Sequence, residues 1–174
     1  MSFVDSTSIK ACHFNRRYRN RVLKSISAAA KTTTGWFFGL KLHLVLNDEG
    51  EILAHKLSPG NCDDRAPVKE LMKCRSGLLI ADRGYISDDL EFGLAKKGIK
   101  LITKVKENMS FERVLTSFEK KCLRARGLIE TVNDQLKNIF QIEHTRHRSI
   151  RAFFVNVLAG LAAYTFRPAK PKMA

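Results

Sequence analysis

The most regular pattern along the chain is an alternation of apolar and polar positions in residues 36–47. Leucine occupies every second position from 40 to 46, with Lys41 and His43 among the residues between. A period of two residues is typical of a β-strand with one apolar face. Residues 47–50 (Asn-Asp-Glu-Gly) predict a turn, so residues 51–57 are expected to return as an antiparallel partner. Residues 2–9, rich in β-branched and small side chains, predict an earlier strand.

A second apolar pattern, short and continuous, fills residues 78–81 and runs directly into Asp82. Its boundaries at Gly77 and Gly84 are typical of a strand buried on both faces. Asp82 would then lie at the carboxyl end of this strand, where open α/β sheets place their ligand sites. The alternative is a structural role, in which Asp82 caps the following helix or pairs with Arg83.

Helical spacing dominates the remaining segments. The predicted elements are a short helix to Lys73 capped by Asp63 or Asp64, a helix from Ser87 to Lys97 ended by Gly98, a strand over residues 99–105, and helical structure over residues 110–140. Ser149 is expected to cap the last helix. Five apolar residues of that helix are expected to pack on the sheet: Phe153, Phe154, Val157, Leu158 and Leu161.

In chain order the predicted elements are β-β-β-α-β-α-β-α-α. This order indicates an α/β fold with a mixed sheet, in which an antiparallel meander is extended by parallel strands and flanked by helices. A length of 174 residues fits one domain that buries roughly two thirds of its unfolded surface. We expect residues 1–166 to form that domain and residues 167–174 to be a basic C-terminal tail.

Composition indicates a class of partner only through charge. Hydrophobic residues make up 44% and charged residues 28% of the chain, which argues against overall disorder. The formal net charge of +14 favours nucleic acid as the partner over an anionic membrane, although a basic protein without a specific ligand has the same composition. Residues 152–166 are too short to span a bilayer and predict a buried helix.

The four cysteines are scattered and form no C-x-x-C pair. They predict neither a disulfide framework nor a zinc knuckle, and together with the lack of a signal-peptide pattern they fit a cytoplasmic protein. A minor alternative is a zinc site that uses Cys12, His13 and Cys62.

The segment from residue 10 to residue 31 combines cations with aromatic residues. Its cations are Lys10, Arg16, Arg17, Arg19, Arg21, Lys24 and Lys31. Because His13, Phe14 and Tyr18 are interleaved with them, the segment indicates a phosphate-contacting loop more than a packed element. A solvated basic face is the alternative.

Two acids stand in unusual surroundings. Asp5 lies inside the first predicted strand, where a carboxylate is costly unless it is paired or bound to a metal. In residues 124–142, Ile129, Val132, Leu136 and Ile139 recur at helical spacing and predict a core stripe. A different face of the same helix would carry Arg126, Glu130, Asn133 and Lys137. A solvated face with ion pairs one turn apart would explain that second set equally well.

Together these motifs resemble the DDE-type transposases of bacterial insertion sequences, which have a ribonuclease H-like catalytic core. The resemblance rests on Asp5, on Asp82 within Ile-Ala-Asp-Arg-Gly-Tyr, and on Glu130 within Arg126-x3-Glu130-x6-Lys137. Residues 35–43, 58–61 and 144–149 extend it over nearly the whole chain. Leu123 departs from the tyrosine that many relatives carry. Only four residues precede Asp5, whereas relatives have a sizeable end-recognition segment there, so the chain is expected to be the catalytic part of such a protein.

The resemblance implies that Asp5, Asp82 and Glu130 are catalytic and hold two Mg²⁺ or Mn²⁺ ions. The implied reaction is cleavage of transposon ends followed by strand transfer into target DNA, with a homodimer as the working unit. Phosphate contacts are expected from Lys10, Arg16, Arg17, Arg19, Arg21, Arg126, Lys137, Arg146 and Arg148. The alternatives are an inactive or truncated basic DNA-binding module and a ribonuclease H-like nuclease without strand transfer. For His43, His144 and His147, a structural role is favoured over proton transfer.

Overall fold

The computed structural model describes residues 1–104, 115–143 and 146–173. Over these ranges the strands are β1 (Ser2–Cys12), β2 (Ala28–Thr32), β3 (Gly35–Asn47), β4 (Ile52–Pro59), β5 (Gly77–Ile80) and β6 (Ile99–Ile102). The helices are α1 (Val68–Leu71), α2 (Asp88–Ala95), α3 (Ser117–Arg124), α4 (Gly127–Asn138) and α5 (Ile150–Thr165). Two 3-10 helices, Phe14–Arg19 and Arg83–Tyr85, follow β1 and β5.

The strands form one mixed sheet in the order β2-β3-β1-β5-β6, and β4 also pairs with β3. Pairing is antiparallel between β1 and β3 and between β3 and both β2 and β4. It is parallel from β1 to β5 and from β5 to β6. The predicted α/β fold, an antiparallel meander extended by parallel strands, is therefore confirmed, and β1 lies at the centre of the sheet.

Two layers of helices cover the two faces of this sheet, because strand side chains alternate between the faces. Phe3 of β1 and the alternating leucines of β3 pack with the buried residues of α4 and α5. Val4, on the opposite face of β1, packs with α1 and α2. Asp5 follows Phe3 by two residues and so faces the α4 side.

The segment predicted as a loop over residues 10–31 is more structured than expected. The first strand continues to Cys12, Leu23 is buried, and β2 pairs with β3. Its sequence, Ala-Ala-Ala-Lys-Thr, has no apolar alternation, so only backbone pairing reveals it as a strand. A turn at Thr33 and Thr34 makes this hairpin possible, since Gly35 takes a φ of 121° that favours glycine.

The helices differ from prediction in two places. α1 has only four residues and begins after Pro67, and the carboxylate of Asp64 contacts other elements and does not cap it. The long helical segment is divided between α3 and α4 at Ala125 and Arg126. Residues 105–114, which include the end of the predicted strand 99–105 and the start of the predicted helical segment 110–140, lie outside the described residues. The predicted caps at Ser87 and Ser149 are confirmed, and Gly98 has the expected positive φ, 69°.

Two residues predicted to be buried are exposed. Ile139 is the C-cap residue that follows the last residue of α4, and 57% of its surface is accessible. Leu158, on the outer face of α5, is 49% exposed. The other predicted core residues of α4 are buried, as are Phe153, Val157 and Leu161 of α5.

Beyond α5 the described tail lies against the β3–β4 turn. The backbone N–H of Met173 donates to the carbonyl of Asp48 at 2.8 Å, and the Tyr164 hydroxyl donates to the carbonyl of Gly50 at 2.6 Å. In the described ranges no helix has the length and apolar character needed to cross a membrane.

Candidate active site and basic clefts

Asp5 lies within β1, and Asp82 follows the end of the neighbouring strand β5 by two residues. In the parallel pairing of β1 with β5, Ser2 is opposite Leu79 and Phe3 is opposite Ile80. The N–H of Ala81 still bonds the carbonyl of Ile102 at 3.0 Å, and Asp82 has extended backbone angles. Continued by two residues, this register would bring Asp82 next to Asp5 on the same face, at the usual strand spacing of about 4.8 Å.

Asp82 does not cap the helix that follows it. Its side chain makes no hydrogen bond to the 3-10 helix Arg83–Tyr85, and no ion pair joins it to Arg83 or to any other described residue. The described contacts therefore do not support a structural role for Asp82 as a helix cap or as an ion-pair partner of Arg83. The half-buried carboxylate remains available for a ligand.

The carboxyl group of Asp5 is largely buried beneath α4. Burial raises the pKa of its carboxyl to about 6, against the opposing effects of the Ser6 backbone N–H and the Arg126 charge. The negative charges of Glu130 and Asp64 raise it further. The Nδ2 of Asn133 donates to the Oδ2 of Asp5 at 3.3 Å.

Glu130 lies on α4 within electrostatic range of Asp5, but its carboxylate is already paired. Arg126, one turn earlier on the same helix, donates to Glu130 Oε1. The Glu130 side chain is 56% exposed, whereas that of Arg126 is only 19% exposed. The structure thus brings the helix carrying Glu130 to the side of the sheet that Asp5 faces, with the glutamate turned toward its arginine.

The three predicted acids have the hard oxygen donors that Mg²⁺ and Mn²⁺ prefer. Among the residues that the structure describes, however, no three His, Cys, Asp or Glu side chains are arranged to hold a metal ion together. Glu130 would first have to leave Arg126. The same observation speaks against the zinc alternative, since Cys12, His13 and Cys62 form no such group.

A fourth acid, Asp64, lies behind β1 and was missed as a site residue in the sequence. The Ser6 hydroxyl donates to Asp64 Oδ1 at 2.7 Å, and Lys41 Nζ lies 2.8 Å from the same atom. The nearby Tyr85 hydroxyl is buried, and that burial raises its pKa strongly, with Asp5, Asp64 and Asp82 adding to the effect. The available signal was the alternation itself, because Ser6 and Lys41 face away from Asp5 on paired strands.

Two of the three histidines considered above, His43 and His147, have structural surroundings. His43 is completely buried, its Nε2 lies 2.7 Å from the Ser58 hydroxyl, and burial lowers its pKa to about 4. The ring of His147 packs edge-on against Phe153 at 5.4 Å. His144 lies outside the described residues.

Two clefts collect the predicted phosphate-binding cations. The first, with a volume of about 440 Å³, is lined by Cys12, His13, Arg16, Arg19, Asn20 and Arg146, and we call it the Arg16 cleft. The second, of about 400 Å³, is lined by Lys104, Lys120, Leu123, Arg124, Arg126, Gly127 and Glu130, and we call it the Glu130 cleft. Residues far apart in sequence thus form two basic surfaces, one of which contains the third candidate acid.

The remaining predicted cations are divided between exposed and engaged positions. Lys10, Arg21 and Arg148 are exposed. The guanidinium of Arg17 lies 4.1 Å above the ring of Phe14 and 4.2 Å above that of Tyr18. Lys137 Nζ lies 3.6 Å from Glu143 Oε2. Arg17 and Lys137 are therefore partly neutralised or covered within the protein itself.

Comparison with known proteins adds a family and a fold. A family model described as transposase DDE domain matches residues 1–150. The structure is similar to the piggyBac transposase in a synaptic complex with hairpin DNA, with a TM-score of 0.59 and 9% identity. It is also similar to a chain of the simian T-cell lymphotropic virus intasome in complex with the PP2A regulatory subunit B56 gamma, with a TM-score of 0.49 and 12% identity.

These similarities cover nearly all of this chain but only part of the larger ones. They include 94% of this chain and 45% of the piggyBac chain, and 99% of this chain and 56% of the intasome chain. No curated protein sequence matches the chain.

Proposed function

The chain belongs to the transposase DDE domain family, and we propose that it is the catalytic domain of a transposase that cleaves transposon ends and joins them to target DNA. The observation that supports the proposal is the parallel register of β1 and β5, which, continued by two residues, would bring Asp82 next to Asp5, below the helix that carries Glu130. The family match covers all three positions. Because the piggyBac chain is more than twice as long, recognition of transposon ends is assigned to no part of this chain.

We assign Asp5, Asp82 and Glu130 as the catalytic acids and as the residues that would hold two Mg²⁺ or Mn²⁺ ions. Bound divalent ions would supply activation of the attacking oxygen and stabilisation of the negative charge on the reacting phosphate. The chain's part is to hold the carboxylates ionised. Asp5, whose pKa is raised to about 6 by burial, is the acid that most needs a nearby positive charge for that purpose.

Arg126 is expected to exchange partners when DNA binds. Its guanidinium is the charge nearest Glu130, and it lines the Glu130 cleft with Lys104, Lys120 and Arg124. A phosphate oxygen in that cleft would attract Arg126 through the same N–H groups that now contact the carboxylate. Release of Glu130 from Arg126 and neutralisation of the phosphate would then occur together.

The Arg16 cleft is expected to bind DNA away from the reacting phosphate. Cys12, which lines it, is seven residues beyond Asp5 on β1, or roughly 23 Å at about 3.3 Å per residue. At about 3.4 Å per base pair, this distance corresponds to about seven base pairs. Contacts there would position the duplex and contribute affinity without reading its sequence.

The assembly and the compartment are also proposals. Joining two transposon ends requires two catalytic sites, so we expect the working unit to be a homodimer. The four cysteines are free, with Cys122 buried, and this state fits the reducing cytoplasm.

Metal-dependent nicking of supercoiled plasmid tests the assignment. We expect Asp5→Asn, Asp82→Asn and Glu130→Gln each to reduce nicking in Mn²⁺ or Mg²⁺ at least 100-fold while DNA affinity is retained. Asp134→Asn is the matched control on α4, because Asp134 is exposed and accepts a hydrogen bond from Asn138. Nicking that survives Asp82→Asn or Glu130→Gln would remove those residues from the site.

A second candidate function is a basic DNA-binding module without catalysis. It is favoured by the fact that no three described side chains form a ready metal site, and that Glu130 is paired. Such a module would bind DNA with the same salt dependence as the proposed catalytic domain, but it would not nick DNA at any concentration of Mg²⁺ or Mn²⁺. A nuclease without strand transfer would nick plasmid yet fail to join a 3′-hydroxyl end to target DNA.

A further inference from the structure

Asn133 is a buried polar residue of α4, at the border between the apolar stripe of the helix and the face that carries Arg126, Glu130 and Lys137. It is 7% exposed, and its neighbours Ile129, Val132 and Leu136 are buried. An amide in such surroundings destabilises the fold for each polar atom left without a hydrogen bond. Packing alone would therefore favour leucine at this position over asparagine.

The contacts of the Asn133 amide are one-sided. Nδ2 donates to Asp5 Oδ2 at 3.3 Å, while Oδ1 is buried without a partner in the described part of the chain. Turning the amide over would place two acceptor oxygens against each other. The carboxylate of Asp5 therefore fixes the orientation of the amide, at the expense of Oδ1.

The hydrogen bond between Asn133 and Asp5 joins the two elements that carry Asp5 and Glu130. Asp5 lies on the central strand β1, and Glu130 lies three residues before Asn133 on α4, about 4.5 Å along the helix axis. A fixed contact between Asn133 and Asp5 therefore also fixes the height of Glu130 above the strand. The Ser6 backbone N–H also favours the ionised form of the Asp5 carboxyl group and lowers its pKa.

We propose that Asn133 is a positioning residue of the active site, which orients the Asp5 carboxylate and sets the spacing between Asp5 and Glu130. It does not touch the reacting atoms. Its consequence for activity rests on the function proposed above. Asparagine at this buried position orients the Asp5 carboxylate, whereas an apolar residue would pack better in the core.

Asn133→Leu separates these two roles, since leucine has a similar size and no donor. Two properties of the full chain are measured: the Mn²⁺ concentration that half-saturates plasmid nicking, and the rise in melting temperature that Mn²⁺ causes without DNA. We expect a 10- to 100-fold loss, as a higher Mn²⁺ midpoint or a lower turnover, and a smaller thermal shift. DNA affinity and the metal-free melting temperature should not fall.

Val132→Ala is the matched control, because Val132 is the preceding buried residue and has no polar atom. It should lower the melting temperature and leave the Mn²⁺ midpoint unchanged. Asn133→Ala replaces the leucine variant if leucine prevents folding. Wild-type Mn²⁺ response and turnover in the donor-free variant would overturn the inference, as would an equal change in Val132→Ala. A wild-type chain that neither nicks DNA nor responds to Mn²⁺ would instead overturn the proposed function, and the inference with it.

Discussion

At the scale of single residues, the site combines an acid that burial makes hard to ionise with an acid that is already paired. Asp5 has a pKa raised to about 6, whereas Glu130 has its charge balanced by Arg126. Asp82, between them in the chain, has no partner among the described side chains. Before DNA and metal bind, the carboxyl group of Asp5 is thus buried, that of Glu130 is ion-paired and that of Asp82 is unpaired among the described side chains.

The raised pKa of Asp5 predicts how stability depends on pH in metal-free buffer. Between about pH 4 and pH 6 the folded chain retains a proton that the unfolded chain has lost, so the free energy of unfolding falls as pH rises through that window. Asp5→Asn removes this effect. We expect it to stabilise the chain by about 1–3 kcal/mol at pH 7.5 and by almost nothing at pH 3.5, as measured by urea unfolding with a chelator present.

Asp134→Asn, which changes an exposed acid on α4, should leave this pH dependence unaltered. An Asp5→Asn chain less stable than wild type at pH 7.5 would mean that the charged Asp5 is held by attractions stronger than its burial. The pKa of Asp5 would then lie below its usual range.

At the scale of elements, the sheet depends on how closely β1, β2 and β3 approach one another. A Cβ added at Gly39 of β3 would lie 2.0 Å from the carbonyl oxygen of Ile9 in β1. This oxygen is a backbone atom of the central strand β1, so it cannot move aside without a large cost in free energy. Glycine at this position therefore permits the pairing that places Asp5 in the core of the sheet.

Gly39→Ala is accordingly expected to lower the free energy of unfolding by about 2–4 kcal/mol. Gly127→Ala is the matched control, because a Cβ there meets nothing within 4 Å and alanine favours the first turn of α4. It should raise stability by up to about 1 kcal/mol. Equal stability of the two variants in urea unfolding would contradict the described pairing of β1 with β3.

The elements that the sequence predicted correctly are those with a periodic side-chain signal. The leucines of β3 and the apolar stripe of α4 have that signal, and Ser87 and Ser149 mark helix starts through their own side chains. The alanines of β2 have no such pattern, and its strand exists only because β3 provides a partner. The local sequence similarly suggested that Asp64 is a helix cap, whereas tertiary contacts assign its carboxylate to Ser6 and Lys41.

The proposed site could be inferred from sequence to the extent that each residue stands in its own motif. Asp5, Asp82 and Glu130 could be named from sequence, and Asn133 was visible on the same helical face as Glu130. Its hydrogen bond to Asp5 could not be foreseen, because 128 residues separate the two in the chain. Pairing between distant segments is decided by the sheet and by packing, not by local pattern.

At the scale of the whole molecule, charge dominates. The chain has 31 Lys and Arg residues against 17 Asp and Glu residues, and several of the cations line two clefts. Such a surface predicts tight, salt-sensitive and sequence-independent binding of DNA. The catalytic proposal and the simple DNA-binding proposal share this expectation, so affinity alone does not distinguish them.

Arg19→Gln tests whether the Arg16 cleft contacts phosphate. We expect the slope of log K against log salt concentration to decrease by about one, with weaker binding for every DNA sequence. Lys96→Gln is the matched control, because Lys96 lies at the end of α2, where its ammonium lies 4.3 Å from the Phe92 ring centroid, and α2 covers the other face of the sheet. An unchanged slope for Arg19→Gln would place the DNA elsewhere on the molecule.

The most direct test of the central claim is anomalous diffraction from crystals of the chain grown or soaked with Mn²⁺ and a short DNA duplex. The account predicts a Mn²⁺ peak between Asp5 and Asp82, with Glu130 turned from Arg126 toward the ion and Arg126 turned toward a phosphate. Saturating Mn²⁺ that gives no peak at these two aspartates, or a peak bound by other residues, would contradict it.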